Sequence, residues 1–82
     1  MATLMLQPEF ARRHTGGERI IEVEAATCQA LIELLDDRYP GFADAVTHGV
    51  AVAIDGQIYP DPLVQALRAD SEVWFLPALE GG

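Results

Sequence analysis

The chain has 82 residues, of which half are hydrophobic and 22% are charged, a balance that predicts one soluble domain with a single modest core. The formal net charge is −8 and all five strongly basic residues are arginines, so the sequence has no basic stripe with which to neutralise nucleic-acid phosphates. An acidic chain of this size is better suited to attracting a basic protein partner than to building a deep catalytic site. We therefore expect that the chain is not a self-contained enzyme.

Cysteine and histidine are too sparse to suggest metal or redox chemistry. Cys28 is the single cysteine, which excludes an internal disulfide, and it falls on the apolar side of a predicted helix. His14 and His48 lie in predicted turns without metal-ligand spacing. The N-terminus carries no basic-then-apolar leader, and no apolar run reaches the ~18 residues of a membrane span. We expect a cytoplasmic protein with no metal site and no membrane contact.

The chain begins with two strands that we expect to pair antiparallel. Residues 3–10 are short and apolar and predict a strand that Pro8 weakens or ends. Residues 12–18 contain the pair Gly16-Gly17 and predict a hairpin loop. In residues 19–24, apolar and acidic side chains alternate, with Ile21 and Val23 on one side, which is the pattern of a half-buried strand.

The next segment predicts the main helix. Thr27 is a suitable N-cap, and Pro40 followed by Gly41 ends the helix. The apolar stripe follows helical spacing and consists of Cys28, Leu31, Ile32, Leu35 and Tyr39. Residues 42–46 predict a further short turn of helix before His48-Gly49.

A second pair of strands follows. Val50–Ile54 alternates large residues with alanine, and Asp55-Gly56 predicts a type I′ turn into a short strand over residues 57–59. The side chains that we expect to face the helix are Val50, Val52 and Ile54. A helical turn after Pro60-Asp61-Pro62 then supplies further core side chains, which we predict to be Leu63, Val64 and Leu67.

The last strand covers residues 73–76 and is closed by Pro77. If Val73 and Phe75 point into the core, strand alternation places their neighbours on the opposite face of the sheet. The residues on that face are Trp74, Leu76, Ala51 and Ala53. We predict a partner-docking patch there, since aromatic side chains dominate interface energetics. The alternative is that Trp74 only packs against the following tail.

Together these elements predict an α+β roll, in which a mixed sheet of about five strands wraps one main helix. We assign residues 1–77 to this domain and residues 78–82, which end in Gly81-Gly82, to a flexible tail. Glycine has no side chain to bury and loses the most conformational freedom on ordering. The use of this pair therefore lies outside folding.

Residues 70–82 resemble the end of the ubiquitin-like β-grasp sulfur carriers typified by MoaD and ThiS. In that family an acidic pair precedes a strand that ends in Leu-Pro, a few residues and Gly-Gly. The element order matches over essentially the whole chain, and the loop His14-Thr15-Gly16-Gly17 is also similar to that of CysO, a carrier of cysteine synthesis. Asp70 departs from the pattern, since many members have glycine there. The resemblance implies a β-grasp fold.

The resemblance also implies a mechanism. An adenylating enzyme joins the Gly82 carboxylate to AMP from ATP, and sulfur from a donor replaces AMP, which leaves a thiocarboxylate for a sulfur-accepting synthase. Gly81 and Gly82 pass through a narrow channel in the partner that a β-carbon would obstruct. Pro77 stiffens the exit from the sheet, and Leu79 anchors in a partner pocket. The carrier itself holds no cofactor, because ATP belongs to the partner enzyme.

Two other functions stay open at this point. A ubiquitin-like modifier is linked through Gly82 to lysines of target proteins, although this chain has no lysine on which to extend itself. A plain interaction domain has a Gly-Gly ending by accident. Among sulfur carriers, the acceptor belongs to molybdopterin, cysteine or thiamin synthesis, or to that of a sulfur-containing metabolite.

Overall fold

The computed structural model describes residues 1–47 and 50–77, and within them five strands form one mixed sheet. The strands are β1 (Ala2–Leu6), β2 (Ile20–Val23), β3 (Val50–Ile54), β4 (Gln57–Ile58) and β5 (Glu72–Pro77). The helices are α1 (Pro8–His14), α2 (Cys28–Arg38) and α3 (Phe42–Thr47), with a 3₁₀ turn at Pro62–Val64. The strand order is β2-β1-β5-β3-β4, in which β1 and β5 are parallel and all other neighbours antiparallel. This is the β-grasp roll that the sequence predicts.

The hydrophobic core lies between the sheet and α2. Because side chains alternate along a strand, Leu4 of β1 and both Val73 and Phe75 of β5 are fully buried on the face toward the helix. The predicted stripe of α2 meets them with Cys28, Leu31, Ile32 and Leu35. At one end of the core, the Phe42 ring lies 5.8 Å from that of Phe75. In the described part of the chain, no helix is long and apolar enough to cross a membrane.

The start of α2 is fixed by two kinds of contact. The Thr27 hydroxyl accepts a hydrogen bond from the Ala30 amide at 3.1 Å, which confirms the predicted N-cap. The backbone amide of Cys28 donates to the Gln65 carbonyl at 3.0 Å, and that of Leu67 donates to the Ala26 carbonyl at 2.8 Å. These bonds tie the segment after the 3₁₀ turn to the helix.

The prediction of a plain hairpin loop between the first two strands is wrong, because this connection contains the helix α1. Pro8 begins the helix, where its fixed φ is favourable and its missing amide hydrogen costs nothing. Glu9 in the first turn and the basic residues Arg12 and Arg13 in the last turn suit the helix dipole. Only the end of the predicted loop is a turn, in which Gly16 and Gly17 have the positive φ angles expected of them. The pairing of β1 with β2 is antiparallel, as predicted.

The prediction that Leu63 and Val64 fill the core is also wrong. Their side chains are 43% and 67% exposed, whereas Leu67 is buried as expected. The reason lies in the backbone hydrogen bonds described above, which join Gln65 to the first residue of α2 and Leu67 to Ala26 just before it. They hold Leu67 against the helix, whereas the 3₁₀ turn precedes the bonded segment.

Two turns frame the last strand. The β3–β4 turn has positive φ at both Asp55 and Gly56, as a type I′ turn requires. The turn before β5 needs no such conformation at Asp70, because Asp55 is the one non-glycine residue with positive φ in the described ranges. Ser71 closes that turn instead: its hydroxyl accepts a hydrogen bond from the Arg68 amide at 2.8 Å.

Candidate functional site

The strand that leads into the C-terminal residues lies in the middle of the sheet. β5 pairs with β1 on one side and with β3 on the other, and its last residue, Pro77, is opposite Val50. The strand is therefore held between two neighbours up to Phe75, and its last residue is held by β3. The predicted site residues Leu79, Gly81 and Gly82 lie outside the described residues. Covalent geometry limits the five residues after Pro77 to a span of about 18 Å.

Strand parity on β5 is as predicted. Val73 and Phe75 are fully buried, while Trp74 is 36% exposed and Leu76 is half-buried on the opposite side. The register places Ala51 directly opposite Leu76, and Ala53 directly opposite Trp74. Paired residues in neighbouring strands point to the same side of a sheet, so the four predicted patch residues share one face.

This face carries further apolar side chains besides the four that the sequence predicts. Met5 pairs with Trp74 and with Ile20, and Ile58 pairs with Ala53. A row of apolar residues therefore crosses all five strands, in the order Ile20, Met5, Trp74, Ala53 and Ile58. We refer to this row together with Ala51 and Leu76 as the open face.

The ends of the row are the most exposed part of the open face. Ile20 is 65% exposed and Ile58 is 66% exposed, whereas Ala53 is 8% exposed between its larger neighbours Trp74 and Ile58. A cavity of about 350 Å³ adjoins Trp74 and is also lined by Pro8 and Arg19. Contiguous apolar surface of this kind is typical of interaction sites, so the open face is a candidate docking surface.

Acidic residues border the open face. The next row of the sheet toward the start of β5 contains Glu22, Thr3 and Glu72, which are aligned by the same register. Both glutamates are exposed. An apolar centre with an acidic border favours a partner surface with basic residues at its own edge.

Asp55 connects the β3–β4 turn to the start of β5. Its carboxylate accepts hydrogen bonds from the Glu72 amide at 2.9 Å and from the Ser71 hydroxyl at 3.1 Å, with the Arg68 guanidinium at 3.5 Å. The hydrogen bond from the Glu72 backbone is the main cause that lowers the pKa of Asp55 below its ordinary value of 3.8, with Ser71 and Arg68 adding to it. The network fixes the beginning of the strand that bears Trp74.

The carboxylate of Asp55 stabilises the folded state only while it is ionised. Because folding lowers the pKa of Asp55, this stabilisation is present above about pH 4 and is lost as the pH falls through the lowered pKa. We expect Asp55→Asn to lower the melting temperature at pH 7. The loss in free energy of unfolding should be no more than about 1 kcal/mol, because the carboxylate is exposed. Asparagine also tolerates positive φ, so the turn itself is kept. Melting curves of both proteins at pH 7 and at a pH below the lowered pKa should show the difference shrink in acid. A constant difference would contradict the assignment.

Other chemically reactive side chains do not form a site in the described residues. Cys28 is buried in the core, and burial raises the pKa of its thiol to about 11, so it is protonated at neutral pH. The His14 ring packs 4.5 Å from that of Phe10. His48 lies outside the described residues. Among residues 1–47 and 50–77, no group of three or more His, Cys, Asp or Glu side chains could hold a metal ion.

Comparisons with solved structures show the same fold in several proteins. CysO from Mycobacterium tuberculosis, described as an antigen, matches with a TM-score of 0.85 and 21% identity, covering 96% of this chain and all of its own. A chain of the BexX/CysO complex from Amycolatopsis orientalis matches with a TM-score of 0.85 and 22% identity, over 100% of this chain and 100% of its own. Small archaeal modifier protein 1 from Methanosarcina acetivorans has a TM-score of 0.82 at 16% identity, over 99% of this chain and 95% of its own.

Sequence comparison adds the family. A comparison with curated proteins finds no match. The model of the ThiS family, in contrast, matches residues 8–82, which include β5 and both terminal glycines. The chain therefore belongs to the ThiS family and is a ubiquitin-like protein of the sulfur-carrier type.

Proposed function

We propose that this protein carries sulfur as a thiocarboxylate on Gly82 and donates it to a biosynthetic enzyme. The observation that carries the proposal is the family match, which runs through Gly81 and Gly82 and so includes the tail on which the chemistry depends. The position of β5 supports it, because a central strand offers a rigid base from which a short tail can reach into a partner.

The chemistry belongs to the tail and to a partner enzyme that binds ATP. A carboxylate oxygen of Gly82 attacks the α-phosphorus of ATP and pyrophosphate leaves, which gives an acyl adenylate. Hydrosulfide then attacks the acyl carbon and AMP leaves, so that one C–S bond forms as one C–O bond breaks. A persulfide donor gives an acyl disulfide instead, and a second thiol must reduce its S–S bond to release the thiocarboxylate.

Delivery returns the carrier to its starting state. The thiocarboxylate sulfur attacks an electrophilic carbon of the acceptor and either displaces a leaving group from it or adds across its double bond, which gives a thioester. Water then cleaves the bond between the acyl carbon and sulfur, which restores the carboxylate and leaves a thiol on the acceptor. In this scheme the carrier is a substrate and not a catalyst. We propose a synthase of molybdopterin or cysteine formation as the acceptor and the cytoplasm as the compartment.

The open face is the surface by which we propose that the adenylating enzyme holds the carrier. Trp74 is the central anchor, because it is the one aromatic side chain in the row and is flanked by apolar residues on both sides. Pro77 and Leu79 continue from the same strand toward the reacting terminus. Glu22 and Glu72 speed the encounter with a basic partner surface.

Conjugation to target proteins is the second candidate, favoured by the likeness to small archaeal modifier protein 1. Mass spectrometry of a tagged chain from its own cells separates the two functions. A carrier is recovered at its own mass or with one oxygen replaced by sulfur. A modifier is recovered in larger adducts that contain Gly82 linked to lysine, and adducts as the main species would contradict the carrier proposal.

A further inference from the structure

A second apolar surface lies on the side of the sheet that faces α2, and the sulfur chemistry does not use it. It is a groove of about 430 Å³ between α2, α3, β3 and the 3₁₀ turn. Its apolar lining includes Ile32, Ala43, Val46, Val50, Val52 and Leu63. Since Val50 and Val52 alternate with Ala51 and Ala53 along β3, the groove and the open face lie on opposite sides of the sheet.

The wall formed by the 3₁₀ turn is exposed to solvent. Leu63 is 43% exposed, and its neighbour Val64 is 67% exposed. Two consecutive large aliphatic side chains at the edge of an apolar groove extend the surface that a partner can bury.

Among the described residues that line the groove, the charged groups are acidic. Glu33 lines it from α2, where its carboxylate accepts a hydrogen bond from Gln29 at 3.2 Å, and Asp61 lines it from the position before the 3₁₀ turn. No arginine is among the lining residues in the described part of the chain. In a chain with a net charge of −8, this arrangement complements a ligand that combines apolar and cationic groups.

We propose that this groove binds a segment of a partner protein in which apolar side chains are flanked by lysine or arginine. The apolar side chains enter between Ile32, Val52 and Leu63, and the cationic groups meet Glu33 and Asp61. Because the groove and the open face are on opposite sides of the sheet, one partner can hold the groove while another acts on the tail. The binding does not depend on whether the chain carries sulfur.

The test is a titration of the isotope-labelled full chain with a synthetic peptide of leucines flanked by lysines, followed by NMR. We expect shifts at Ile32, Val46 and Leu63 and none along the open face. A matched peptide with glutamate in place of lysine should not bind. Shifts confined to the open face, equal binding of both peptides, or no shift at millimolar peptide would overturn the proposal. Concentration-dependent shifts of the groove without peptide would also overturn it, since they indicate a second copy of the chain.

Variants locate the binding within the groove. Leu63→Ala should weaken binding of the lysine peptide about tenfold, since it removes the side chain that forms one wall of the groove. Asp61→Asn should weaken binding of the same peptide about two- to fivefold. The difference in affinity between parent and variant should disappear at high salt, which screens the charges. Leu34→Ala is the matched control, because Leu34 is 49% exposed and does not line the groove. This variant should bind the lysine peptide as tightly as the parent. Equal losses in Leu34→Ala and Leu63→Ala would contradict the site.

Discussion

Removal of Gly81 and Gly82 is expected to abolish sulfur loading and to leave the fold unchanged. Loading is lost completely because the shortened chain has no carboxylate that reaches the nucleotide through a channel fitted to glycine. The fold is kept because the sheet and its core are complete at Pro77. The measurement is the intact mass after incubation with the adenylating enzyme, ATP and a sulfur donor, together with a melting curve.

The control for this truncation is Glu80→Gln, which changes the tail and keeps both glycines. It should load like the parent. The truncated chain should still bind the adenylating enzyme through the open face, so that docking and chemistry are separated. Sulfur found on the truncated chain would show that Gly82 is not the reacting residue.

Trp74→Ala is expected to weaken binding of the adenylating enzyme by about 2 kcal/mol or more, which is about thirtyfold in Kd. The substitution removes the aromatic side chain at the centre of a row of apolar residues that crosses the whole sheet. Isothermal titration calorimetry of parent and variant gives the two dissociation constants. Melting curves of both proteins check that the variant is still folded, as expected for a change at an exposed position.

Leu34→Ala is again the matched control, because this exposed leucine lies on α2, on the other side of the sheet from Trp74. Its Kd should stay within about twofold of the parent, as expected for a surface residue outside an interface. If Trp74→Ala binds as tightly as the parent, or if both variants weaken binding equally, the open face is not the docking surface.

Alternation and capping made much of the fold predictable. Thr27 caps α2 as expected, because a β-region residue with a hydroxyl at that point satisfies a free amide of the first turn. Val73 and Phe75 are buried and Trp74 points outward, because a strand covered on one face has two distinct sides. The Asp55-Gly56 turn follows from the need for positive φ at both positions.

The errors have local physical causes. The apolar pattern predicts that Pro8 ends a strand, but proline is also favoured at the start of a helix. The charges of Glu9, Arg12 and Arg13 complete a short helix where the sequence predicts a loop. Hydrophobicity alone predicts that Leu63 and Val64 lie in the core, but tertiary hydrogen bonds decide which residues of that segment turn inward. Such bonds cannot be read from hydrophobicity.

Part of the open face was missed although a signal existed. A two-residue turn at Asp55-Gly56 fixes the register of its hairpin, so that Ile58 must lie opposite Ala53. Met5 lies outward if Leu4 and Leu6 lie inward, which the same parity argument indicates. That β5 lies between β1 and β3, and so joins these side chains into one row, depends on the sheet order and not on any local pattern.

The most direct test of the account is the intact mass of the chain after reaction with its adenylating enzyme, ATP and hydrosulfide, followed by fragmentation of the C-terminal peptide. We predict an exchange of one oxygen for one sulfur that requires ATP and is located at Gly82. An unchanged mass in the presence of an enzyme that consumes ATP with this chain, or sulfur located at any other residue, would contradict the account.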